Sequence, residues 1–142
     1  MDVRAGSSLV ELVVALAVMA ILLAIGAPHV GSTRDGAAVS SAASAVMAEL
    51  ALARHAAIAR GRRVAVLFDG PHALVTVAMD GDTLARRRLD AKLGVALAVT
   101  RDSIAYGPTG LGYGAANTRL ILHRGRSADT ITVSRLGRVR RW

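Results

Sequence analysis

The chain has 142 residues, enough for one small domain once an apolar leading segment is set aside and too few for a second core. It has no cysteine, which excludes a disulfide framework, a thiol nucleophile and a thiolate metal site. Hydrophobic residues make up 53% and aromatics only 3%, so a core must come from Val, Leu, Ile and Ala rather than stacking platforms, while a net charge of +8 points to anionic partners such as nucleic acid or lipid headgroups.

All but one of the 18 basic residues are arginine, a usage that GC-rich coding also produces. Leu9 to Ala27 carries a single charge, Glu11. A helix of that length at about 1.5 Å per residue is close to the ~30 Å hydrocarbon thickness, so one membrane-spanning helix is predicted. Arg4 before it and Arg34 and Asp35 after it allow a cytoplasmic amino terminus. A cleaved secretory signal, a plain signal anchor and a prepilin leader all fit this hydropathy.

Glu11 separates them, because a carboxylate in an inserting helix costs up to about 3 kcal/mol and only the third reading gives it a partner. If the chain is cut after Gly6, Ser7 carries a free α-amino group four residues before Glu11 on the same helix. The carboxylate then pairs with that amine or with the amine of a neighbouring subunit. It also lies in the first helical turn, where the macrodipole favours negative charge.

The segment Gly6-Ser7-Ser8-Leu9-Val10-Glu11-Leu12-Val13-Val14 resembles the leader of type IV prepilins and pseudopilins. That family has a short leader ending in Gly, Glu at the fifth mature position and Pro at the twenty-second. Counted from Ser7, these fall on Glu11 and Pro28. Ser7 departs from the family's usual Phe at the first mature position. The resemblance implies cleavage by a prepilin peptidase between Gly6 and Ser7, N-methylation of Ser7, filament assembly through Glu11, and a helix kink at Pro28.

After Pro28, the positions Val39, Ala43, Val46, Leu50, Ala53 and Ala57 recur at four and three spacings. They predict an amphipathic helix to Arg60, stopped at Gly61, with its stripe against a sheet. The period then changes to two. Val64 to Phe68 and Ala73 to Met79 read as strands, and Asp80-Gly81-Asp82 as a tight hairpin turn into Thr83 to Leu89. Further strands are expected over Val95 to Val99, Thr118 to His123, Thr130 to Ser134 and Arg138 to Trp142. A helix followed by short strands makes the fold class α+β, a long pilin-like amino-terminal helix packed on a small antiparallel β-sheet domain.

This later part resembles the GspH/FimT group of minor pseudopilins. The likeness rests on residues 53–60, Val64 to Phe68, Tyr106-Gly107-Pro108-Thr109-Gly110, and Val133-Ser134-Arg135-Leu136-Gly137-Arg138-Val139-Arg140. The resulting division is 1–6 leader peptide, 7–31 transmembrane half of the helix, 32–60 amphipathic half, and 61–142 periplasmic β-rich domain.

Gly110-x-Gly112-x-Gly114 lacks the strand, helix and Lys of a phosphate-cradling loop, and loop flexibility is its expected reason. His29, His55, His72 and His123 have no metal-ligand spacing, and no Ser lies in a nucleophile-elbow pattern. The expectation is therefore no enzyme, no metal and no cofactor. Alternation in Arg86-Arg87-Arg88 places Arg87 on one strand face and its neighbours on the other, as on a solvated edge that resists association. At the carboxyl end, Arg135, Arg138, Arg140, Arg141 and Trp142 are candidate DNA contacts. Guanidinium groups hold phosphate oxygens and indole stacks on bases. The resemblance implies the same, since Gly137-Arg138-Val139-Arg140 matches a Gly-Arg-x-Arg pattern of FimT-like pilins of transformable bacteria.

The resemblance thus implies a minor subunit of a type II secretion pseudopilus or type IV pilus. Its partners would be other pilin subunits, a prepilin peptidase, the inner-membrane platform and membrane lipid. It would be single-pass in the bacterial inner membrane with its carboxyl-terminal domain periplasmic. Two alternatives stand beside it: a DNA-binding minor pilin for DNA uptake, and a Sec-exported soluble periplasmic protein cleaved near Gly26 or Ala27.

Overall fold

The computed structural model describes residues 8–113 and 117–142, with the side chains of 26–30 left out. Helix α1 runs Leu9–Arg60. Ser8 opens it, its carbonyl accepting from the Glu11 and Leu12 amides and its Oγ from the Glu11 amide at 3.2 Å. Gly61, at φ 61°, closes it. The Gly61 amide donates to Ile58 and the Arg62 amide to Ala57, satisfying carbonyls that the helix end would leave open.

By contacts the chain divides into two compact units, Met1–Arg34 and Asp35–Trp142. In the first, every described apolar side chain from Leu9 to Ile25 is exposed. In the second, the predicted stripe is the buried one: Val39, Ala43, Val46, Leu50, Ala53 and Ala57 are all 2% exposed or less. Alanine at half of these positions lets the strands approach the helix closely, and Val46 and Leu50 fill the space between.

The strands are β1 Val64–Asp69, β2 Leu74–Met79, β3 Asp82–Arg88, β4 Ala96–Val99, β5 Ser103–Tyr106, β6 Thr118–Arg124, β7 Ser127–Val133 and β8 Val139–Arg141. A one-turn helix α2, Asp90–Leu93, links β3 to β4. All pairings are antiparallel, in two four-stranded sheets of order β3-β2-β1-β5 and β4-β6-β7-β8. Alternate residues point inward: Val64, Val66 and Phe68 on β1, Val75 and Val77 on β2, Leu120 and Leu122 on β6, Ile131 and Val133 on β7. One core joins these to the helix stripe. The fold is the expected long helix packed on antiparallel strands.

The hairpin turn between β2 and β3 is Asp80-Gly81, with φ of 55° and 94°. Both central residues are left-handed, as a two-residue turn matched to strand twist requires. Strand β7 begins at Ser127, three residues before its predicted start, because Gly125 at φ 54° closes a second tight turn that pairs Arg124 with Ser127. Strand β5 was not predicted. Its four residues take their place only from pairing with β1, Val64 opposite Tyr106.

Candidate functional site

Three regions carry the residues that sequence reasoning singled out. At the amino end, Gly6 and Ser7 lie outside the described residues, and Pro28 falls among those whose side chains are not described. Glu11 stands in the first turn of α1. Its amide is held by Ser8, so the Ser8-x-x-Glu11 spacing is that of a capping box with one of its two hydrogen bonds formed. The carboxylate thus sits where orphan amides and the helix dipole favour negative charge. Around and beyond it, Leu12, Val13, Leu16, Met19, Leu22, Leu23 and Ile25 are each at least 55% exposed, an apolar surface that the described residues leave uncovered.

The second region is the carboxyl-terminal strand, and it separates the five residues predicted to act together. Arg141 points inward. Its guanidinium holds Asp129 Oδ2 at 2.6 Å and donates to Ser40 Oγ of α1 at 2.8 Å. Asp129 is 8% exposed and pairs across the ladder with Leu122, so Arg141 neutralises a carboxylate on the core side of the sheet. That arginine ties β8 to the helix while its side chain stays 35% exposed. The Trp142 indole N–H donates to Thr132 Oγ1 at 3.2 Å. Arg135 is in the turn before β8, where its carbonyl packs against Gly112.

Arg138 and Arg140 do share a surface, as predicted. It is an open groove of about 1010 Å³ whose walls also carry Arg101, Arg119, Thr132 and Ser134. Arg119, Thr132 and Arg140 are ladder partners across β6, β7 and β8. None of the four arginines has an ion-pair partner among the described residues. Sequence reasoning missed Arg101 and Arg119. Position 119 alternates with buried Thr118 and Leu120, a signal for an outward residue, but its nearness to Arg140 is a matter of strand order.

The third region is the edge strand β3. Alternation turns Arg87 toward α1, where its Nε meets Glu49 Oε1 at 2.7 Å. Glu49 is 5% exposed and was not anticipated. Arg88 faces the other way and pairs with Asp90 at 2.8 Å, which holds the Asp90 carboxyl below the usual carboxylate range. Nearby, a hydrogen bond from His72 lowers Asp69 in the same way. Arg86, Arg87, Arg88, Ala91 and Lys92 line a second open pocket of about 540 Å³.

Of the glycine run, Gly114 lies outside the described residues, and Gly110 and Gly112 act differently from the expectation. A Cβ at Gly110 would fall 2.7 Å from the Ile58 side chain and one at Gly112 would fall 2.6 Å from the Arg135 carbonyl. These glycines permit close packing of the loop on the helix end and on the turn before β8, rather than flexibility. Beneath that loop the buried Tyr106 hydroxyl has no partner among the described residues, and burial raises its pKa above the ordinary 10.0.

Residues 42–137 match the family model described as type II transport protein GspH, and residues 1–27 match the prokaryotic N-terminal methylation motif. Two solved structures share the fold. The type IV minor pilin FimU of Pseudomonas aeruginosa superposes with a TM-score of 0.61 at 14% identity, covering 72% of this chain and 86% of FimU. The minor pseudopilin EpsH of the type 2 secretion system of Vibrio cholerae gives 0.60 at 16%, covering 73% of this chain and 95% of EpsH. No curated protein matches the sequence.

Proposed function

Because the chain belongs to the GspH family of type II transport proteins, we propose that it works as a minor pseudopilin or pilin subunit of a type II secretion or type IV pilus machine. The observation that carries this is the contrast along one helix. From Ala38 to Ala57 its stripe is buried in the domain, while from Leu9 to Ile25 its apolar side chains are uncovered, with Glu11 in the first turn. Such a helix needs lipid or other copies of itself around it. The family is one of structural subunits, so the work is assembly and recognition rather than catalysis.

In this reading a prepilin peptidase cuts between Gly6 and Ser7, and the new Ser7 amine is N-methylated. The helix over 7–31 holds the subunit in the inner membrane, with residues 61–142 on the periplasmic side. The platform of the machine then draws the helix into a filament. There the Glu11 carboxylate pairs with the Ser7 amine of a neighbouring subunit, an attraction strengthened by the low dielectric of a helical bundle. Pro28, which cannot donate to the helix ladder and crowds the carbonyl four residues before it, kinks the helix at the edge of the apolar segment.

The mass of the mature amino terminus, taken from membranes of cells with and without a prepilin peptidase, tests this. A peptidase-dependent start at Ser7, with or without a methyl, is expected. A start near Pro28 in both strains would overturn it in favour of a Sec-exported soluble protein. The DNA reading draws nothing from the comparisons, whose descriptions mention no nucleic acid. It rests on the groove alone, with Arg138 and Arg140 as its candidates and Arg141 committed to Asp129.

A further inference from the structure

We infer that the free edge of β8 is a docking site for an extended acidic segment of a partner protein, which adds to the second sheet as an antiparallel strand. The site lies wholly within the unit Asp35–Trp142.

Among the described residues β8 pairs with β7 alone and stands at the end of its sheet. The pairing with β7 fixes which backbone groups are left over. The Trp142 amide donates to the Thr130 carbonyl at 2.9 Å, and the Ser134 amide to the Arg138 carbonyl at 2.9 Å. Thr132 and Arg140 are the ladder partners between them. In an antiparallel pair such bonded positions alternate with unbonded ones. The backbones of Arg138, Arg140 and Trp142 therefore face β7, and the amides and carbonyls of Val139 and Arg141 face away from it. No described residue takes up these four groups. Two donors and two acceptors in one row are what an added strand pairs with.

The side chains select the strand. Val139 packs against the core and Arg141 reaches Asp129 and Ser40, while Arg138 and Arg140 line the open groove together with Arg101 and Arg119. A strand laid along β8 at about 4.8 Å puts every second side chain on the groove side, within reach of Arg138 and Arg140. Acidic residues at those positions meet guanidinium groups that no described carboxylate occupies, and bidentate contacts are open to both. The residues between them lie beside Val139 and suit small apolar side chains. The same charges decide against a second copy of this edge. Another β8 laid antiparallel through Val139 sets Arg140 against Arg138 or against its own copy, and like charges directly opposite destabilise a pair. Nor does the chain carry a fitting segment elsewhere. Its ten acids stand two positions apart only at Asp80 and Asp82, in the tight turn between β2 and β3. The partner is therefore a different protein. Nucleic acid also brings negative charge to the groove, but a peptide alone satisfies both the arginines and the row of backbone groups.

The full chain in detergent tests this with the end-blocked peptide Thr-Glu-Val-Glu-Val-Glu-Thr, titrated against the emission of Trp142, the sole tryptophan. Trp142 reports on the site because its indole bonds Thr132, the ladder partner of Arg140. Saturable binding is expected at low salt, with the Val139 and Arg141 amides slowed in hydrogen exchange when the peptide is present. Arg138→Ala/Arg140→Ala should weaken it about tenfold, the worth of two opposite-charge cross-strand pairs. Arg86→Ala, on the first sheet, should bind like wild type. Gln in place of each Glu in the peptide should weaken binding by at least as much as the double variant does. N-methylation of the two valines keeps the peptide's charge but removes the amides that face β8, and should abolish binding. These changes to the peptide leave the protein untouched, so a folding defect in the double variant does not imitate them. No binding at low salt, or binding that the Gln peptide or the N-methylated peptide keeps in full, would overturn the site. So would duplex DNA that binds more tightly than the peptide and leaves the two amides exchanging freely, which would reassign the groove to nucleic acid.

Discussion

Truncating Arg87 should destabilise the domain well beyond what an edge-strand arginine ordinarily costs. The Glu49 carboxylate is 5% exposed, and Arg87 Nε at 2.7 Å is its ion-pair partner. Stripping the partner from a fully buried pair costs about 3–5 kcal/mol. The Arg87 side chain is 47% exposed, so water replaces part of what it supplied, and the cost comes down to about 1–2 kcal/mol. In a domain of this size each kcal/mol is worth roughly 4–8 °C of midpoint, so Arg87→Ala should melt about 4–16 °C lower. Thermal unfolding of the full chain in detergent, read by Trp142 emission, measures it. Glu49→Leu in the same background should recover most of the loss, because the buried charge then goes with its partner. Equal, additive losses in Arg87→Ala and Glu49→Leu, or a midpoint within 1 °C of wild type in Arg87→Ala, would refute the reasoning.

Two further outcomes follow from other parts of the fold. Burial raises Tyr106, so the folded state holds its phenolic proton more tightly than the unfolded chain does. That contribution is complete below pH 10 and is lost as pH rises toward the folded pKa, so Tyr106→Phe should flatten the alkaline fall in stability above pH 10. At neutral pH the same variant should be close to neutral, since the hydroxyl has no partner among the described residues. A loss above about 2 kcal/mol would mean that the hydroxyl is bonded. If the groove on the second sheet holds duplex DNA, affinity of the full chain should fall with salt, and Arg138→Ala/Arg140→Ala should reduce the log–log slope by about 2. Absence of binding at low salt would end the DNA reading.

Local signals were enough where the physics is local. The three-and-four spacing from Val39 to Ala57 marked the buried face of α1, because a helix repeats every 3.6 residues whatever it packs on. Asp80-Gly81 marked a hairpin because both residues tolerate a left-handed backbone. Alternation in Arg86-Arg87-Arg88 correctly turned Arg87 to the opposite face from its neighbours. Strand β5 escaped notice because four residues with a polar start carry almost no period, and its place depends on β1. The glycines at 110 and 112 look like freedom in a string of letters. Only the nearness of Ile58 and of the Arg135 carbonyl reveals that they are there for want of room.

The sequence by itself determined the apolar segment with its one carboxylate, the switch from helical to strand period at Gly61, and the excess of arginine. Each depends on neighbours within a turn or a hairpin. Tertiary structure alone decided what each arginine does. Strand order joined Arg101 and Arg119 to Arg138 and Arg140 in one groove, the inward face of β8 gave Arg141 to Asp129 and Ser40, and the inward face of β3 gave Arg87 to Glu49. The physical reason is that a guanidinium's role depends on whether a carboxylate stands within about 3 Å of it. Those carboxylates come from residues 12 and 38 positions away in the chain, brought near by pairing and packing that no local pattern specifies.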